Sequence, residues 1–84
     1  MRVNANSWDC GNGIQCEQIE GDDTGLFITF TKKTDYMILE GVIQRYYDDG
    51  YENIKIKCEG DEHYTRVNRN DIFGSILCRK KWIM

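Results

Sequence analysis

Apolar and polar positions alternate along most of this chain, and a period of two predicts strands. From Gly13 to Ile19, Ile14 and Cys16 fall on one side of a short strand. From Leu26 to Thr31, Leu26, Ile28 and Phe30 fall on one side and Phe27 on the other. The longest such stretch, Tyr36 to Cys58, reads as a hairpin turning at Asp49-Gly50, because a tight two-residue turn needs positive φ at both central positions. That loop sets Tyr47 opposite Glu52, Arg45 opposite Ile54 and Ile43 opposite Ile56. Leu39, Ile43, Ile54, Ile56 and Cys58 then share one face, with Glu40, Gln44, Asn53, Lys55 and Lys57 on the other. Slipping the register by one residue would set Ile54 against Gln44 and Cys58 against Glu40, which the pattern disfavours.

The flanks are less regular. Arg2–Ala5 reads as a short strand and Asn4–Gly13 as an irregular loop carrying Trp8. Gly21–Gly25 (GDDTG) is a turn. His63–Asn68 alternates weakly, with Tyr64 and Arg66 on one face. Asn70–Phe73 suggests one helical turn with an Asx start. Ser75–Ile83 reads as a last strand. No helical stripe of apolar residues stands out. Short strands at spacings near ten residues predict an all-β fold, a small five- or six-stranded SH3-like barrel with at most one short helical turn. The 84 residues make a single domain, 1–84, organised around the 36–58 hairpin.

Composition adds little to the fold and something to its surface. An apolar content of 40 % with ten aromatic residues suits a thin globular core and argues against disorder. No apolar run is long enough to cross a membrane and no secretory signal opens the chain, so a cytoplasmic protein with no membrane association is expected. The net charge of −3 is unevenly spread. Residues 1–31 carry Asp9, Glu17, Glu20, Asp22 and Asp23 against Arg2 alone; residues 63–84 carry Arg66, Arg69, Arg79, Lys80 and Lys81 against Asp71 alone. Such polarity steers partners. With no proline in the chain, the sheet edges lack one common guard, which leaves a homo-oligomer open.

Candidate chemistry is sparse. Cys10, Cys16, Cys58 and Cys78 with His63 could supply tetrahedral zinc, but the five-residue gap between the first two is wider than a zinc knuckle, and Cys58 and Cys78 fall on apolar faces. They read as buried, reduced thiols. A Cys58–His63–Cys78 enzyme lacks any setting that lowers a thiol pKa. Glu20, Asp22 and Asp23 lack the ligand order of a calcium loop. No cofactor, metal or catalytic group is therefore expected. The expected function is a non-catalytic regulator or inhibitor that occupies a protein partner through Trp8, Tyr46, Tyr47, Asp49, Tyr51 and Asn53, since Tyr and Trp dominate interface hot spots. Its acidic front matches the nucleic-acid mimicry of some small proteins from phages and mobile elements. The basic, aromatic tail, Lys80, Lys81 and Trp82, supports RNA binding as the alternative.

One family resemblance bears on that alternative. Leu39-Glu40-Gly41-Val42-Ile43 followed by Asp49-Gly50-Tyr51-Glu52-Asn53-Ile54-Lys55-Ile56 resembles the first signature of the Sm-like RNA-binding ring proteins, and Val67–Ile72 loosely resembles the second. The resemblance covers roughly residues 26–76. It implies a strongly bent barrel, a ring oligomer and a uridine site at Asp49, Asn53 and Arg69. The Gly41–Asp49 gap is longer than the family pattern, and Arg69 is followed by Asn70 where the family has glycine.

Overall fold

The computed structural model describes residues 6–80, with side chains through Cys78. Five strands and two helices follow one another as β1 (Ser7–Gly11), β2 (Ile14–Gln18), β3 (Gly25–Phe30), α1 (Tyr36–Asp48), β4 (Asn53–Cys58), β5 (Thr65–Arg66) and α2 (Ile72–Lys80). The strands form one sheet in sequence order. Neighbours are antiparallel except β3 and β4, which are parallel. A parallel pair cannot be joined by a tight turn, because the chain must return to the starting end; α1 is that return. The sheet is open, with β1 and β5 at its edges, and not closed into a barrel.

Beta structure at 14–18, 25–30 and 53–58 follows the alternation closely, but Tyr36–Asp48 is a helix and not the first arm of a hairpin. Three local causes make it so. The Asp35 carboxylate accepts the Met37 backbone N–H at 2.8 Å, capping the first turn. Leu39, Ile43 and Tyr47, four residues apart, are the helix's buried residues. At the other end Gly50, with φ of 112°, donates its N–H to the Tyr47 carbonyl, while the Tyr51 N–H reaches the Tyr46 carbonyl. Those two bonds are the Schellman motif, and a left-handed glycine just beyond the helix is what it requires. Asp49-Gly50 is thus a helix exit.

The two-residue hairpin turn lies instead at Asn12-Gly13, between β1 and β2, where Asn12 and Gly13 have φ of 57° and 77°. Ser7–Gly11 is accordingly a strand and not loop. At the C-terminal end Ile72–Lys80 is a second helix in place of the expected last strand, so two helices replace the single expected turn. The Asx start is real: the Asp71 carboxylate accepts the Gly74 N–H at 3.0 Å. Between β4 and α2 only Thr65 and Arg66 remain strand. The strand expected at Arg2–Ala5 lies outside the described residues.

The core occupies one face of the sheet. Ile14, Cys16, Leu26, Ile28, Phe30, Ile54, Ile56 and Cys58 point to it, and Leu39, Ile43 and Tyr47 of α1 with Ile72 and Ile76 of α2 close it from above. The two helices touch each other, and α2 also touches β4. The buried Thr34 hydroxyl ties the start of α1 to the β1–β2 turn by donating to the Asn12 carbonyl at 3.0 Å.

Candidate binding face

With both helices on one side, the other face of the sheet is left to solvent. Register lines its residues into rows across the strands. Ser7, Glu17, Phe27, Lys55 and Arg66 form one row, each paired with the next. Asp9, Gln15, Thr29 and Lys57 form the row beside it. Asp9 and Glu17 put negative charge on the β1–β2 side, while Lys55, Lys57 and Arg66 put positive charge on the β4–β5 side.

Aromatic rings mark the middle. Tyr64 lies stacked on Phe27, with ring centroids 4.3 Å apart and planes 29° from parallel. Its hydroxyl sits 3.2 Å from Thr29 Oγ1, and the Lys57 ammonium lies 5.0 Å from its ring centroid. A cation over a ring and an offset stack each contribute about 0.5–1.5 kcal/mol, so Tyr64 is held in a fixed pose. Two open hollows flank it. One is lined by Asp9, Gln15, Glu17, Phe27, Thr29 and Tyr64; the other by Phe27, Asn53, Lys55, His63, Tyr64 and Arg66.

At the end of this face, the Asp22 carboxylate accepts from the Thr24 N–H and hydroxyl at 3.0 Å each and from Asn53 Nδ2 at 3.2 Å. These donors favour the charged form; the Asn53 amide, first among them, holds Asp22 below the usual aspartate range. The acidic 20–23 turn is therefore built around one satisfied carboxylate.

Of the residues expected to meet a partner, Trp8 borders the first hollow and Asn53 the second, while the others are placed away from both. Trp8, Tyr46 and Tyr51 come together on the helix side, half-buried and packed against the core. Trp8 Nε1 donates to the Tyr46 hydroxyl at 2.8 Å, and the Tyr46 ring stands edge-on to both Trp8 and Tyr51. Burial raises the Tyr46 phenol far above its ordinary value, with the Cys10 hydrogen bond adding to it. Tyr47 is buried; its hydroxyl donates to the Val67 carbonyl at 3.3 Å. Asp49 is exposed at the end of α1, Asn53 holds Asp22, and Arg69 lies 5.2 Å from the Tyr47 ring centroid. The first half of the Sm-like pattern, Leu39–Ile43, lies on α1. Lys81 and Trp82 fall outside the described residues, as does the side chain of Lys80.

The cysteines are dispersed except for one pair, and against expectation not all are buried: Cys78 lies on a helix, exposed, and Cys10 is half-buried. Cys10 Sγ and Cys16 Sγ are 3.3 Å apart, Cys58 is buried in β4, and Cys78 is exposed on α2. His63 is exposed in the β4–β5 loop, 3.9 Å from the Glu62 carboxylate. Among the described residues no group of three or more His, Cys, Asp or Glu is arranged to hold a metal ion. Nor is any described helix long and apolar enough to cross a membrane.

No protein-family model, no curated protein and no solved structure matches the chain. The site rests on its own geometry. None of its main residues, Phe27, Tyr64, Lys55, Lys57 and Arg66, is among those expected from the sequence to meet a partner, although Lys55 and Lys57 fall on the polar side of an alternating run. Phe27 was the signal, a large apolar residue on the side away from Leu26, Ile28 and Phe30.

Proposed function

We propose that this chain is a small non-catalytic binding protein that occupies a protein partner with the uncovered face of its sheet, in the manner of a regulator or inhibitor. The observation that carries the reading is the row Glu17–Phe27–Lys55–Arg66, in which charge passes from negative to positive across an aromatic centre. Aromatic anchors ringed by charge are the anatomy of a protein interface. A partner with the reverse polarity satisfies both halves at once, whereas a polyanion meets Asp9 and Glu17 on one side. Arg66→Glu and Phe27→Ala in a tagged protein are expected to abolish capture and crosslinking of the partner from lysate, while Gln44→Ala, on the exposed side of α1, leaves them unchanged. Identical capture by all three proteins, or none by the wild type, overturns the reading.

One observation favours RNA as a second reading. Phe27 and Tyr64 offer a stacking surface beside Lys55, Lys57 and Arg66, the pairing by which single strands are held. It expects fluorescently labelled oligouridine to bind at low salt and Tyr64→Ala to weaken that binding about tenfold, the effect of losing one stacked base. Unchanged anisotropy at low salt removes it.

A further inference from the structure

Cys16 borders one hollow of the proposed binding face, but nothing in that function uses the sulfur of Cys16 or of Cys10. They lie on the two arms of the β1–β2 hairpin, on the side of the sheet that the helices cover. Pairing between those arms slips between Asp9 and Gly11, and Cys10 sits inside that irregularity. The slip brings its sulfur to 3.3 Å from that of Cys16. A disulfide needs about 2.05 Å, so closure asks for a movement of little more than 1 Å at two flexible χ1 torsions. The hairpin holds the two arms in place, because the Asn12 carbonyl is fixed by Thr34 and Gly13 lies against Thr31 and Thr34.

The surroundings divide the labour between the sulfurs. Cys10 is half-buried and so reachable from solvent, whereas Cys16 is buried. The Tyr46 hydroxyl lies 3.3 Å from the Cys10 sulfur. Because Tyr46 already accepts from Trp8 Nε1, its own proton is available to a thiolate at Cys10. Cys78, also exposed, sits on α2 away from this hairpin, and Cys58 is enclosed in the core.

We infer that Cys10 and Cys16 are a thiol–disulfide exchange site that closes to an intramolecular disulfide at the expense of a low-molecular-weight disulfide such as oxidised glutathione. In the first step the Cys10 thiolate attacks one glutathione sulfur. The glutathione S–S bond breaks, one glutathione thiolate leaves, and a mixed disulfide remains on Cys10. In the second step Cys16 gives up its proton and attacks Cys10 Sγ. The Cys10–glutathione bond breaks, the Cys10–Cys16 bond forms, and the second glutathione departs. Two protein thiols lose two electrons and two protons, and these reappear in two molecules of reduced glutathione. Burial, reinforced by the neighbouring Cys10, pushes the Cys16 thiol up to about 12. Burial of Cys16 slows this second step, which accelerates as rising pH supplies more Cys16 thiolate.

The test uses the full chain carrying Cys78→Ser, which removes the competing exposed thiol. After incubation with oxidised glutathione, intact mass is expected to fall by two hydrogen masses and peptide mapping to link Cys10 with Cys16. Dithiothreitol reverses both changes. With Cys16→Ser added, the reaction stops as a glutathione adduct on Cys10; with Cys10→Ser added, no adduct forms at Cys16. The closed form melts at a higher temperature than the reduced form, and the serine variants show no such shift. If Cys10 and Cys16 both react with maleimide when the incubated protein is then unfolded in urea, the inference is wrong. It is equally wrong if the adduct on Cys10 persists at pH 9 with Cys16 present. Mapping of the protein with both cysteines in place decides the matter even if a serine variant fails to fold.

Discussion

Asn53 shows how far one side chain can carry a local structure. Its amide, the Thr24 N–H and the Thr24 hydroxyl all converge on Asp22, so the β2–β3 turn and the start of β4 share one carboxylate. Asp22 titrates below its unfolded value, so its contribution to stability is present above the unfolded pKa and is lost as pH falls through the lower, folded one. NMR titration is expected to place the Asp22 midpoint below the ordinary aspartate value. Asn53→Ala should move it back upward. Failure of the midpoint to move would mean that Thr24 alone sets it. The sequence marks this stretch only as an acidic turn, because it shows which groups are acidic and not which donors reach them.

At the scale of elements, two short dipeptides decide the topology. Asn12-Gly13 and Asp49-Gly50 look alike in sequence, and both glycines adopt positive φ, yet one turns a hairpin and the other ends a helix. What precedes each separates them. Before Gly50 the apolar residues come as adjacent pairs, Ile38-Leu39 and Val42-Ile43, which satisfy a period of two and a period near 3.6 equally well. Asp35 as a cap, and Tyr36, Leu39, Ile43 and Tyr47 as a stripe, break the tie toward helix. In β2 and β4 no such pairs interrupt the alternation and in β3 only Phe27 does, so the strand and its buried side are legible there. α2 is hidden differently: among its described side chains, Ile72 to Cys78, only Ile72 and Ile76 are buried, too few to show a period. Glycine-to-alanine changes should register the two roles. In Gly13→Ala the new Cβ would meet the Thr31 and Thr34 hydroxyls at 2.8 and 2.9 Å, at a φ that alanine avoids. We expect a loss of about 1–3 kcal/mol in urea unfolding. Gly41→Ala, on α1 with open space around it, should gain about 0.5–1 kcal/mol. A Gly41→Ala protein less stable than the wild type would count against the helix.

For the whole molecule, the parallel β3–β4 pair makes α1 indispensable to the sheet, since no shorter connection joins those strands. Helix and sheet should therefore be lost together. Ile43, fully buried between α1 and the strands, tests this: Ile43→Ala should cost about 2–5 kcal/mol, against a total stability of about 4–12 kcal/mol for a chain of this size. In a Trp82→Phe background, the far-UV signal of the helices and the fluorescence of Trp8, anchored on Tyr46, are expected to change together, at one urea concentration for each protein. Separate transitions would show that the β1–β3 meander survives without α1.

The separation of the two sheet faces also bears on how such a chain can change over generations. Glu17, Thr29, Lys55 and Arg66 each alternate with a residue of the core, so their replacement leaves the packed side untouched. On the proposed reading, recognition and folding draw on different letters of the same strands. A lineage could exchange one partner for another by rewriting only the outward letters, and a combinatorial library at those positions could do the same at the bench. The scaffold beneath would stay constant while the surface diverged.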